Sequence, residues 1–274
     1  MTASAYVPDL HVYRGSHGGK DIIPLWRDRS ATDPNLTIGL SEALGKALGV
    51  PPPSIEDVAA YVYALLSASA YQTRFAEALR TPGLRVPVTA DAALWNEAVE
   101  AGRHRLWLHT YAERFRDAAG ERGLHVPPVP GIGWDVAVTQ LPQDASGVTY
   151  AADAQTLTIG DGKVVGVRPD VWAFEISGMP VLSKWLGYRT ARGSGRAASS
   201  TNQLDRLRPT IWLDDWNDEL LDLIRLLTLT LDAEPVMAGL LERICDGPLL
   251  EAHRLPQPHP YERRPPTTVA RTWT

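Results

Sequence analysis

Cysteine is nearly absent: Cys245 is the only one in 274 residues, so no internal disulfide can form. That usage fits a reducing compartment. No apolar run approaches the roughly 20 residues that a membrane-spanning helix needs. The first residues, MTASAYVPDLHVYRG, lack a basic start followed by an apolar core, so no secretory leader is expected and the chain is placed in the cytoplasm. Catalytic signatures are missing too. There is no G-x-x-x-x-G-K-[ST] phosphate loop, no G-x-S-x-G, no H-E-x-x-H and no paired C-x-x-C. Gly15 to Gly19 lies between two strand-like runs, and Gly193 and Gly195 lie in a polar loop. Neither has the strand-to-helix context of a nucleotide site.

The remaining candidates for chemistry are weak. Asp214 and Asp215 are adjacent near a helix start, where acids serve capping and the helix dipole. His104 and His109 are five apart, off the i, i+4 spacing of a shared ligand face. Cys245 ends an apolar helix with no histidine nearby in sequence, which suits an inert thiol. The sequence therefore predicts no catalytic residue and no metal site.

What is there reads as an ordinary globular chain, with 44% hydrophobic and 22% charged residues. Residues 5–26 suggest a hairpin around the Gly-rich turn. A short helix is expected from Leu40 to Leu48, stopped by Gly49 and three prolines. Ser54 is placed to cap a stronger helix carrying Val58, Tyr61, Val62, Leu65 and Leu66, with a further helical segment from Tyr71 to Leu79. Asp91 can cap a third helix, to about Asp117, burying Leu94, Val99, Leu106, Leu108 and Phe115. The Pro- and Gly-rich stretch 125–133 is the best linker candidate.

Beyond it come short β-prone runs at Val148 to Tyr150, Thr156 to Ile159 and Lys163 to Val167, with Asp161-Gly162 as a hairpin signal between the last two. Val171 to Ile176 reads as a strand or a helical turn, and a helix follows from Pro180. Residues 190–203 read as a polar mobile loop. Two helices are expected over Asp218 to Leu231 and Pro235 to Ile244. From Leu255 the chain reads as a loose tail. The resulting fold class is mixed α+β (α/β). It comprises an N-terminal hairpin and helical part (1–124), a small, mainly antiparallel β-containing recognition part (125–254) and a flexible tail (255–274).

Net charge is −5, which on its face opposes a nucleic-acid partner. The sign reverses locally. Lys184, Arg189, Arg192, Arg196, Arg206 and Arg208 face only Asp205 within 184–208, giving that segment +5 and the rest −10. Trp185 and Tyr188 share the helical spacing of Val181 and Leu182, so both are expected in the core. The loop arginines have few acidic neighbours in sequence, which favours ligand contact. Arginine forks match phosphates and guanine, and the amides of Asn202 and Gln203 match adenine. Phosphate contacts are therefore expected from Lys184, Arg189 and Arg192, and base contacts from Arg196, Asn202 and Gln203, with Arg206 and Arg208 adding charge.

Several stretches together resemble one known family. PLWRD at 24–28, AYVYALLSASAYQTRFAEAL at 60–79, LWLHTYAERF at 106–115, TLTIGDGKVVGVRPDVWAFEISGMPVLSKWLGYR at 156–189 and DELLDLIRLLTLTL at 218–231 are similar to the C-terminal specificity region of type ISP restriction-modification enzymes. One local departure is Leu204-Asp205-Arg206-Leu207-Arg208-Pro209, where the family carries a Leu-Asp-Asp-Ile-Arg-Pro-like segment. The resemblance implies sequence-specific recognition of double-stranded DNA by a chain without catalytic motifs of its own. It implies as partners an adenine methyltransferase and motor and nuclease domains or subunits, and no membrane. S-adenosylmethionine, ATP and Mg would belong to those partners, since the F-x-G-x-G, N-P-P-Y and motor motifs are missing here. The competing expectation is a protein-interaction scaffold whose amphipathic helices dock a methyltransferase or motor subunit.

Overall fold

The computed structural model describes residues 3, 23–81, 85–116, 122–176, 178–192, 207–260 and 262. The expected hairpin over 5–26 falls almost wholly outside them. The described residues form seven α-helices, a four-stranded antiparallel sheet and a two-stranded one, a mixed α+β fold. They divide into two compact units. One draws on 21–106 and 234–274, the other on 107–233. These limits differ from a division at 124. The Pro- and Gly-rich stretch 125–133 is part of the second unit, with Val126 and Ile132 buried in its core.

The first unit is helical. α1 (Leu40–Leu48) ends at Gly49, whose φ of 69° needs the freedom of glycine. α2 (Ile55–Leu66) begins at Ser54 with a full capping box: Ser54 Oγ accepts from the Asp57 N–H, and Asp57 accepts from the Ser54 N–H. Arg103 on α4 (Ala92–His109) donates to the same Asp57 at 2.7 Å. That contact and hydrogen bonding from Ser54 hold the Asp57 carboxyl below its ordinary pKa despite partial burial. The second helical segment is shorter than its sequence pattern: α3 covers Ser69–Arg74, followed by a 3-10 turn at Ala78–Arg80.

α2 and α4 pack closely because Gly102 has no side chain; a Cβ there would sit 1.9 Å from the Ala60 carbonyl oxygen. Trp95 stacks on Tyr61 at 4.3 Å, and the Tyr61 hydroxyl donates to the Pro87 carbonyl and accepts from the Thr89 N–H. α4 stops at His109, eight residues short of the sequence expectation. Positive φ at Tyr111, Ala112 and Phe115 breaks the helical path there.

The second unit is built on the sheet β1-β4-β3-β2, formed by β1 (Gly133–Val136), β2 (Val148–Ala151), β3 (Thr156–Ile159) and β4 (Gly162–Val165). The Gly160-Asp161 connection makes the β3–β4 hairpin, with Gly160 at φ 56°. α5 (Pro169–Trp172), the ribbon of β5 (Glu175–Ile176) and β6 (Met179–Pro180), and α6 (Val181–Gly187) follow. Leu157, Ile159, Val164, Leu182, Leu220 and Ile224 are fully buried in one core.

α7 runs unbroken over Asp215–Asp246 with Pro235 inside it, where the sequence suggested two helices. Proline in a helix interior costs about 3 kcal/mol. Burial outweighs it on both sides: Leu220, Ile224 and Leu227 in one unit, Met237, Leu240, Leu241 and Ile244 in the other. Two described positions after α7 are also anchored. Leu249 pairs with Thr89, and Glu262, from the expected loose tail, accepts the Ile38 N–H at 2.9 Å.

In the first unit Glu234 holds a buried cation. Its carboxylate pairs with Arg105, whose side chain is 5% exposed, and accepts from the Ser69 N–H and hydroxyl. Burial opposes ionisation of Glu234, but these partners outweigh it and keep its pKa below the ordinary 4.5. A depressed carboxyl stabilises the fold above its unfolded pKa, and that contribution fades as pH falls through the folded value. Glu234→Gln should therefore cost about 3 kcal/mol at pH 7, with the gap to the unsubstituted chain narrowing below about pH 4.5. Urea unfolding across pH reads both; equal midpoints at pH 7 would contradict the pairing.

Candidate nucleic-acid interface

The interface candidate begins at α6, where Lys184 and Arg189 stand five residues apart and take opposite roles. Arg189 turns inward. Its guanidinium lies 3.6 Å from the Trp185 ring centroid and 5.0 Å from that of Trp216. Nη2 donates to Glu219 at 2.8 Å and Nη1 to the Trp185 carbonyl at 3.3 Å, while Nε is buried without an acceptor. Burial pushes the Arg189 pKa down and Glu219 opposes the shift. Trp212 completes the cluster, edge-on to Trp216 at 5.3 Å and to Trp185 at 6.3 Å. Arg189 was expected to reach a phosphate; here it cements α6 to α7.

Lys184 turns outward. It is exposed, and its Nζ sits 4.9 Å from the ring centroid of Tyr188, which is 59% exposed. The shared helical spacing of the aromatics misled: Trp185 packs partly against the core, but Tyr188 lies just past the helix end on the solvent side. Arg192 is exposed and Arg208 half-buried. Of the segment's described cations, only Arg189 has a carboxylate within ion-pair distance among the described residues. Arg196, Asn202, Gln203 and Arg206 lie outside the described residues.

The platform is fixed by short polar side chains that the sequence did not single out. Asn217 Oδ1 accepts from the Trp212 indole at 3.1 Å and from the Val138 N–H at 3.3 Å, and its Nδ2 donates to the Val138 carbonyl. The Asn217 carbonyl takes the Trp134 indole N–H. One side chain thus ties the segment after β1, the start of α7 and the aromatic cluster together. Residues 190–192, expected in a mobile loop, are stitched down. The Ala191 and Arg192 N–H groups donate to the Pro142 and Gln143 carbonyls at 2.9 and 2.7 Å, and buried Thr190 donates its hydroxyl to the Arg192 carbonyl.

The weaker candidates have other surroundings. Asp215 lies in the first turn of α7, where an acid meets the helix dipole, and His109 shares a 3.1 Å hydrogen bond with Thr230. Burial raises the Cys245 thiol pKa, which makes the nucleophilic thiolate scarcer. No group of three or more His, Cys, Asp or Glu gathers among the described residues, and no helix among them is long and apolar enough to cross a membrane.

The inward role of Arg189 is directly measurable. A desolvated cation–π contact is worth about 2 kcal/mol, and the half-exposed Glu219 adds little more. Arg189→Ala should lower stability by about 2–3 kcal/mol and alter tryptophan fluorescence, with Arg189→Lys restoring little because an ammonium cannot stack as a plane. An unchanged unfolding midpoint in Arg189→Ala would contradict it.

Comparison with solved structures places three DNA complexes beside this chain. One is the cryo-EM structure of a DrdV–DNA complex, at 20% identity over 81% of this chain and 21% of that chain, with a TM-score of 0.48. A nuclease-deletion mutant of the Type ISP restriction-modification enzyme LlaGI with a DNA substrate mimic matches at 16% identity over 68% of this chain and 14% of that one, with a TM-score of 0.46. The ATP-dependent Type ISP enzyme LlaBIII bound to DNA matches at 15% identity over 80% and 12%, also with a TM-score of 0.46. The chain thus spans about a fifth or less of the length of these proteins. No curated protein matches it. The profile of the Type ISP C-terminal specificity domain matches residues 1–223, most of the sequence, and the chain belongs to that family.

Proposed function

We propose that this chain selects the DNA sequence for a Type ISP restriction-modification system, acting in the cytoplasm, and that it grips duplex DNA through the face at the end of α6. The observation that carries the reading is the outward pair Lys184 and Tyr188, with exposed Arg192 four residues on, neither cation within ion-pair distance of a carboxylate among the described residues on a chain that is acidic elsewhere. A cation outside ion-pair distance of an acid keeps its charge available to phosphate oxygens, and an adjacent aromatic adds contact area. Lys184 and Arg192 set register on the backbone, Arg208 adds to the field, and Arg196, Asn202, Gln203 and Arg206 keep the roles their chemistry suggests. Arg189 drops out as a free contact because Glu219 and Trp185 hold it.

Methylation, translocation and cleavage would be the work of other domains or subunits, which would also hold S-adenosylmethionine, ATP and Mg. A second reading is favoured by Leu207, Ile211 and Leu213, which are 74%, 63% and 43% exposed just before α7. Exposed apolar side chains of this size suit docking of another protein domain. That scaffold reading needs no DNA and carries no salt dependence.

The DNA reading makes a quantitative demand. Lys184→Ala should weaken binding to all duplexes alike and reduce the slope of log affinity against log salt by about one unit. Fluorescence anisotropy of the 274-residue chain across a salt series measures this. Unchanged affinity and slope would remove Lys184 from the interface.

A further inference from the structure

The segment 139–146 between β1 and β2 lies in the same unit as α6 and carries a side chain that no expectation assigned. The Thr139 and Gln140 N–H groups donate to Asp161 Oδ1 at 3.0 and 3.1 Å, and the Thr139 hydroxyl donates to Oδ2. At the other end Asp144 accepts from the N–H and hydroxyl of Ser146. Pro142 is buried between them, and a Cβ on Gly147 would approach its ring at 3.1 Å. The loop therefore has its conformation set before any ligand arrives.

Gln143 stands exposed in this loop. Its carbonyl receives the Arg192 N–H at 2.7 Å, so a neutral amide and an exposed guanidinium spring from hydrogen-bonded backbone neighbours. The Gln143 amide makes no hydrogen bond among the described residues. Asp144, which feels the charge of Arg192, has its carboxylate engaged by Ser146. A cation that fixes register on phosphate beside an unengaged amide is an arrangement suited to reading an adjacent base. An amide offers the donor and acceptor that the adenine edge requires in the major groove. Ordering the loop in advance removes part of the entropic cost of that contact.

We propose that Gln143 is a specificity-determining residue that reads an adenine edge next to the phosphate held by Arg192. The inference rests on the DNA reading above, and its test separates the two. The 274-residue chain, Gln143→Ala and Gln143→Glu are each used to select from a random duplex library. The unsubstituted chain should enrich adenine at one position. Gln143→Ala should lose that preference by about 10-fold or more with other positions unchanged, and Gln143→Glu should move the same position towards cytosine, whose amino group donates to a carboxylate. A selective unsubstituted chain with both variants giving its profile overturns the role of Gln143 alone. A flat profile from the unsubstituted chain overturns DNA reading itself and this role with it.

Discussion

The packing of Arg189 between α6 and α7 is the constraint on which the candidate face depends. A guanidinium that stacks on Trp185, reaches Trp216 and pairs with Glu219 fixes the rotation of α6 about its own axis. With that rotation set, residues one helical turn apart on the other side, Lys184 and Tyr188, are exposed and stand against each other. Burying a cation is costly, and here an ion pair, a carbonyl hydrogen bond and stacking on Trp185 offset its desolvation. Its placement therefore contributes orientation as well as stability. The inward charge makes the outward one available.

Short polar side chains do the rest of the positioning. The Asn217 side chain joins Val138 and Trp212, while its carbonyl takes the Trp134 indole; Asp161 holds Thr139 and Gln140; Asp144 caps Ser146; Thr190 holds Arg192. Each satisfies backbone or indole groups that irregular segments would otherwise leave unpaired. The consequence for function is that loops near α6 arrive pre-shaped, so the recognition energy is not spent on ordering them. Loops built this way can vary their exposed side chains, such as Gln143, without disturbing the sheet beneath. That separation between a fixed frame and replaceable contacts suits the proposed selection of a DNA sequence.

Much of the fold was legible because local signals agreed with tertiary demand. The Ser54 cap, the stop at Gly49, the strands begun at Val148 and Thr156 and a hairpin between β3 and β4 appear where pattern and turn chemistry put them, the turn itself falling one residue earlier than Asp161-Gly162, at Gly160-Asp161. Other features depend on contacts that sequence spacing cannot reveal. α7 passes through Pro235 because burial on both sides exceeds a local penalty, and β1 follows a Pro-rich stretch whose few apolar residues turn out to be core. The site was half legible. Charge density located the segment, but the pairing of Arg189 with Glu219, thirty positions on, decides which cation stays free. Gln143 carried no signal, since its importance comes from a backbone bond to Arg192 across the fold.

Hydrogen exchange of the chain with and without a duplex it has selected tests the central claim most directly. The account predicts slowed exchange in residues 139–146 and 184–192, with the first unit, including α2 and the Ser54 cap, unaffected. Slowed exchange confined to that helical unit, or none near α6, would contradict it.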